Sequence, residues 1–184
     1  MLNTNNFIRL QKGYTLIELM SVISIAIITT GIVVPSFASI LNRNQQIASV
    51  NQFSTNLAHA RYQAINRYEH IVLCPSVNLS HCSNANEWEH GYISFIDTNE
   101  NKEVDEQEEI LTATQKMDYL IKIISTNNRK KITFSPSGAA PGSNTTIQFC
   151  SGFGDIEHRA LILSNSGRAR LSKKMPNGEE ITCS

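Results

Sequence analysis

The chain has 184 residues, 41% of them apolar, and its 16 lysines and arginines balance its 16 aspartates and glutamates. That length leaves room for one globular head beside a long terminal segment and excludes a string of domains. Zero net charge rules out bulk electrostatics as an argument for or against a nucleic-acid partner, so the distribution of charge carries the information.

The N-terminal junction Lys12-Gly13-Tyr14-Thr15-Leu16-Ile17-Glu18 sets one carboxylate inside an otherwise uncharged apolar stretch that runs to Pro35. An acid in a membrane helix costs roughly 2.5 to 3.5 kcal/mol at the bilayer centre, so Glu18 needs to snorkel or find a partner. A cleaved secretory signal fits poorly, because 33–38 is a weak cleavage sequence. A plain single-span anchor has about the ~20 residues required but leaves Gly13 before Tyr14 and Glu18 unexplained. The junction resembles the class III signal of type IV prepilins and type II secretion pseudopilins. The resemblance implies that 1–13 is a leader removed by a prepilin peptidase after Gly13, that Tyr14 becomes a methylated N-terminus, and that Glu18 pairs with the terminal amine of a neighbouring pilin. Pro35 stands where such chains often kink.

Residues 14–36 then form a membrane and filament-core helix, and 37–68 its amphipathic second half. In the latter, Val50, Phe53, Leu57, Ala60 and Ala64 recur at threes and fours, opposite Gln52, Asn56, Gln63 and Arg67. The remainder, 69–184, reads as a β-rich head. Runs at 70–74, 92–96, 119–125, 131–135, 145–150, 160–164 and 168–172 are separated by Pro, Gly, Asn and Ser. The expected class is α+β and type IV pilin-like, a long N-terminal helix packed on an antiparallel sheet. Read as above, the anchor puts the head in an oxidising periplasm, where Cys74, Cys82, Cys150 and Cys183 favour disulfides. Three connectivities exist. The favoured one joins Cys74 to Cys82 around a short Asn- and Ser-rich loop, and Cys150 to Cys183 to tie down the tail. A zinc site would want two closely spaced ligand pairs, which these spacings lack.

The acids Asp97, Glu103, Asp105 and Glu108 and the amides Asn99 and Asn101 occupy the first, seventh, ninth, twelfth, third and fifth positions, respectively, of an EF-hand-like loop. Lys102, however, occupies the position where that loop requires Gly, and no flanking helix pair is evident. The stretch therefore reads as a solvated acidic loop, with no metal or cofactor assigned. His59, His70, His81, His90 and His158 are scattered and no nucleophile or phosphate-loop motif surrounds them, so catalysis is not expected.

The head narrows the resemblance. The segments Phe95-Ile96-Asp97-Thr98-Asn99-Glu100-Asn101, Phe134-Ser135-Pro136-Ser137-Gly138 and Gly167-Arg168-Ala169-Arg170 resemble the GspH and FimT group of minor pilins and pseudopilins. The Gly-Arg-x-Arg motif is similar to that of the FimT members, which implies DNA uptake in natural transformation. Independently of the family, 159–174 contains Arg159, Arg168, Arg170, Lys173 and Lys174 and no acid. Asn165-Ser166-Gly167 is a turn signal. In a strand 168–172, Arg168 and Arg170 would share a face roughly 6.6 Å apart, each guanidinium able to fork onto a backbone phosphate without reading a base. Lys173 and Lys174 would add point charges. A second basic run, Arg129-Lys130-Lys131, could extend that surface or simply tip a solvated hairpin. An edge strand protected by positive charge is the plain structural alternative for the C-terminal run.

The sequence thus points to a minor pilin, inserted singly in the bacterial inner membrane with its head in the periplasm and then assembled with other pilins into a surface pilus. It would bind DNA non-specifically through its C-terminal basic segment. The rivals share the fold: a type II secretion pseudopilin acting as a structural or priming subunit, and a priming pilin that touches no DNA.

Overall fold

The structure, a computed structural model, describes residues 13–116, 121–152 and 156–183, without the side chains of 32–36, 38 and 127. The expected leader therefore lies, Gly13 apart, outside the described residues. One helix, α1 (Leu16–Arg67), and eight strands follow in chain order: β1 (His70–Pro75), β2 (Gly91–Asp97), β3 (Ile110–Gln115), β4 (Ile121–Ser125), β5 (Ile132–Phe134), β6 (Thr145–Ser151), β7 (Arg159–Leu163) and β8 (Ala169–Ser172). The chain divides into two units after Ala38.

In the first unit, Thr15 and Glu18 form a capping box: Thr15 Oγ1 accepts the Glu18 N–H at 3.3 Å and Glu18 Oε2 lies 3.5 Å from the Thr15 nitrogen. The same acid that the resemblance assigns to assembly thus also closes the start of its own helix, a local role that Thr-Leu-Ile-Glu spells at capping-box spacing. Ser21, Ser24, Thr29 and Thr30 return their hydroxyls to carbonyls three or four residues back. No side-chain donor among these four needs water. Among the described residues no helix is long and apolar enough to cross a membrane.

The second unit is the head. Val50, Phe53, Leu57, Ala60 and Ala64 of α1 are all buried and pack against two sheets, ordered β3-β2-β1-β5 and β4-β6-β7-β8, every pair antiparallel. The head is thus antiparallel sheet packed on the helix, as expected, with its strands divided into two four-stranded sheets. Phe53 is the hub, with ring centroids 5.1 to 5.9 Å from Tyr92, Trp88 and Phe149. β1 and β2 are buried on both faces, because Val72, Cys74, Ile93 and Phe95 form a second small core beneath Leu79, Cys82 and Val104. β3 is the strand the pattern did not reveal. It is an edge strand, half in contact with solvent, whose Ile110-Leu111-Thr112-Ala113 lacks clean alternation.

Cys74 is bonded to Cys82 and Cys150 to Cys183, with no free cysteine among the described residues. The first bridge staples the covering loop to the small core and the second returns the tail to β6. Chain-entropy arithmetic on separations of 8 and 33 residues gives about 2.5 and about 4 kcal/mol respectively. Denaturant titration should therefore show the Cys150→Ser, Cys183→Ser variant losing more stability than the Cys74→Ser, Cys82→Ser variant, unless the void left by buried Cys74 reverses the order. Equal stability of the parent in oxidised and reduced form would refute both bridges as contributors.

Candidate nucleic-acid interface

The basic segment begins in a tight turn. Gly167 donates its N–H to the Ser164 carbonyl at 2.9 Å, and Ser164 donates to the Arg168 carbonyl at 3.1 Å. Gly167 has φ +76°, and a Cβ built on it would lie 2.1 Å from the Gly138 carbonyl oxygen. That oxygen already accepts Arg61 Nε from α1 at 2.8 Å. Ala140 N–H, two residues on, bonds the Asn165 carbonyl at 2.8 Å. The Ser-Pro-Ser-Gly segment and the Asn-Ser-Gly turn, far apart in sequence, are therefore one pair of interlocked turns braced by α1.

β8 opens at Ala169, so Arg168 sits in the turn and not, as expected, inside the strand. It is exposed and lines a cleft with Arg61, Tyr62 and Ile65 of α1. Arg170 is also exposed and stands opposite Ile162 in the β7–β8 register, on the face away from buried Leu161 and Leu163. Ala169 and Leu171 take the other face, and Ala169 packs on the core. Neither arginine makes an ion pair among the described residues. Arg61 is a third guanidinium at this cleft that the sequence pattern did not bring forward, since its hydrogen-bond partner Gly138 lies 77 residues downstream.

The lysines are differently placed. Lys173 Nζ is 2.7 Å from Glu157 Oε2, and the hydrogen bond from Lys173, helped by Arg159 and Arg43, holds the Glu157 carboxyl below its usual range. The backbone of Lys174 pairs with that of Glu180 across a turn closed by Met175 and Glu179, while its side chain is exposed and makes no ion pair among the described residues. The stretch that is free of acids in sequence is thus flanked by acids in space. Glu157, Glu179 and Glu180 border it in the chain, which was the available signal. Arg159 has its Nε buried without a partner, as does Arg129. In the second basic run, Lys131 is bound to Glu103 at 2.6 Å and to the Lys102 carbonyl, with a side chain 16% exposed. It braces the acidic loop. Lys130 is half-buried beside the one-turn 3-10 helix Thr126–Asn128.

Comparison with known proteins places the head. The family model of the type II transport protein GspH matches residues 49–167. No curated protein matches the chain. Among solved structures it is similar to the type IV minor pilin FimU of Pseudomonas aeruginosa strain PAO1, seen in two crystal forms. In one the TM-score is 0.58 at 17% identity, covering 72% of this chain and 92% of that one. In the other it is 0.54 at 17% identity, covering 68% and 90%. At that identity the likeness is one of fold.

Proposed function

The chain belongs to the GspH family of minor pilins and pseudopilins, and on that premise we propose that it is a minor type IV pilin that binds DNA non-specifically for uptake in natural transformation. The observation that supports this reading is the pair Arg168 and Arg170, both exposed and without counter-ions among the described residues, one at the turn and one on β8, beside interlocked turns braced by Arg61. Rigid placement spares the ordering cost that a floppy basic tail would incur on meeting a duplex. Guanidinium forks suit phosphate oxygens, and no stacking platform lies in the segment, so the backbone and not the bases would be contacted. Prepilin peptidase cleavage after Gly13, a single inner-membrane span by 14–36, a periplasmic head and later incorporation with other pilins into a surface pilus complete the proposal. A secretion pseudopilin without DNA binding is the competing reading, favoured by the family description itself.

The test is salt-dependent binding of a short duplex to the full chain in detergent. With Lys173 engaged by Glu157, Arg168, Arg170 and Lys174 neutralise about three phosphates, so log affinity should fall with log salt at a slope near −2.7, about fortyfold between 50 and 200 mM. Two unrelated duplexes should bind alike. A slope near −3.6 would mean that Lys173 leaves Glu157 for DNA, whereas absence of binding at 50 mM salt would favour the pseudopilin reading.

A further inference from the structure

Ala58, Arg61, Tyr62 and Ile65 recur at threes and fours on α1 and so form a stripe beside the helix face that is buried in the head. Across from them lie Arg168 and Ala169, and together these residues line a cleft of about 390 Å³. Leu57, itself in the core, also lines it, and Ala169 packs on that core. The walls are thus largely apolar. Tyr62 has 62% of its surface exposed, and its ring meets no other ring among the described residues, so a flat aromatic face is presented and not packed away.

Charge decides what such a cleft can hold. Neither Arg61 nor Arg168 makes an ion pair among the described residues, and no acid lines the cleft. Arg61 spends its Nε on the Gly138 carbonyl at 2.8 Å, and its two terminal amino groups take no part in that bond. A wholly apolar partner face laid here would strip water from two guanidinium groups and return no counter-charge, which is costly. The occupant must therefore carry negative charge as well as a flat apolar body. A nucleotide has both: a base for the ring and a phosphate for the guanidinium, the pairing by which single-strand binders hold their ligand.

Resting on the DNA-binding reading above, we propose that this cleft takes the base of an unpaired nucleotide, stacked on Tyr62, with its neighbouring phosphates on Arg168 and Arg61. The chain then prefers single strands and strand ends to the interior of a duplex. In a duplex every base is paired and turned inward, so only the backbone reaches the arginines. A single strand has bases to spare. Its cleft lies at the small end of the roughly 300 to 1,000 Å³ of small-molecule sites, room for one nucleotide and far too little for a duplex. Because every base has a π-face, the preference is for unpaired strand and not for sequence. The basic segment itself carries no aromatic residue, and only the fold brings Tyr62 of α1 beside it.

The experiment is anisotropy titration of the full chain in detergent against three labelled probes at one salt: an oligothymidylate, an abasic strand of the same length and phosphates, and a blunt duplex. The parent should bind the oligothymidylate about tenfold more tightly than the abasic strand, the effect of one base on one ring. Tyr62→Ala should erase that ratio and leave duplex affinity as in the parent. Tyr62→Phe should keep the ratio, since the ring and not the hydroxyl stacks. If Tyr62→Ala fails to fold, Tyr62→Leu, which keeps bulk but removes the π-face, should show the same loss. Arg168→Ala should weaken all three probes, because all three present phosphates. A parent that binds duplex but holds oligothymidylate and abasic strand equally, or a folded Tyr62→Ala variant that keeps the ratio, would overturn the cleft and leave the arginine pair standing. A parent that binds none of the three would overturn the DNA-binding reading and the cleft together.

Discussion

Gly167→Ala should lower the melting temperature by about 6 to 12 °C, the equivalent of about 3 kcal/mol for a chain of this size. Two causes combine. A side chain at φ +76° costs about 1 to 2 kcal/mol in the left-handed region. In addition, the new methyl would sit 2.1 Å from the Gly138 carbonyl oxygen, closer than any carbon and oxygen pack, so the interlocked turns must part. Parting them puts at risk the bond from Arg61 to Gly138 or from Ala140 to Asn165, each worth about 1 kcal/mol. Gly142→Ala is the control: its φ is +67° but nothing lies within 4 Å of the built Cβ, so only the conformational cost of about 1 to 2 kcal/mol applies. Equal losses for the two variants would show that the close approach contributes nothing. Gly167→Ala should also weaken DNA binding, because Arg168 follows the displaced residue.

The helix, most strands and the basic turn were legible because each rests on local chemistry. The spacing of Val50, Phe53, Leu57, Ala60 and Ala64 reports the packed face of α1 directly, and Asn165-Ser166-Gly167 reports its turn. What the sequence hid arises where distant segments meet. Ile110–Gln115 lies on an edge, so few of its side chains are buried and no alternation marks it. The division into two sheets is a matter of long-range pairing that no local pattern encodes. Glu157 neutralises Lys173 only because β7 and β8 pair antiparallel, which sets the residues just before β7 beside those just after β8. Arg61 and Gly138 converge on Gly167 from two other elements.

That distinction between charges counted along the chain and charges free in space governs the strongest expected effect on function. Arg168→Ala combined with Arg170→Ala should weaken duplex binding about 100-fold at low salt, since a charge-assisted contact contributes about 1.5 kcal/mol and two are lost. The fold should survive, because both side chains are exposed and Ala169, between them, keeps its place on the core. Lys173→Ala should cost far less, as that ammonium already faces Glu157 at 2.7 Å. Glu157→Gln should do the opposite and tighten binding, steepening the salt slope from near −2.7 towards −3.6 as a fourth cation becomes available. Replacing both arginines by lysine should restore only part of the affinity, because the charge returns without the planar fork that grips two phosphate oxygens. Anisotropy of a labelled duplex at matched salt, beside circular dichroism and melting curves for each variant, reads all four. A double Ala variant that melts with the parent and binds duplex equally well would remove Arg168 and Arg170 from the interface and with them the case for DNA binding by this face.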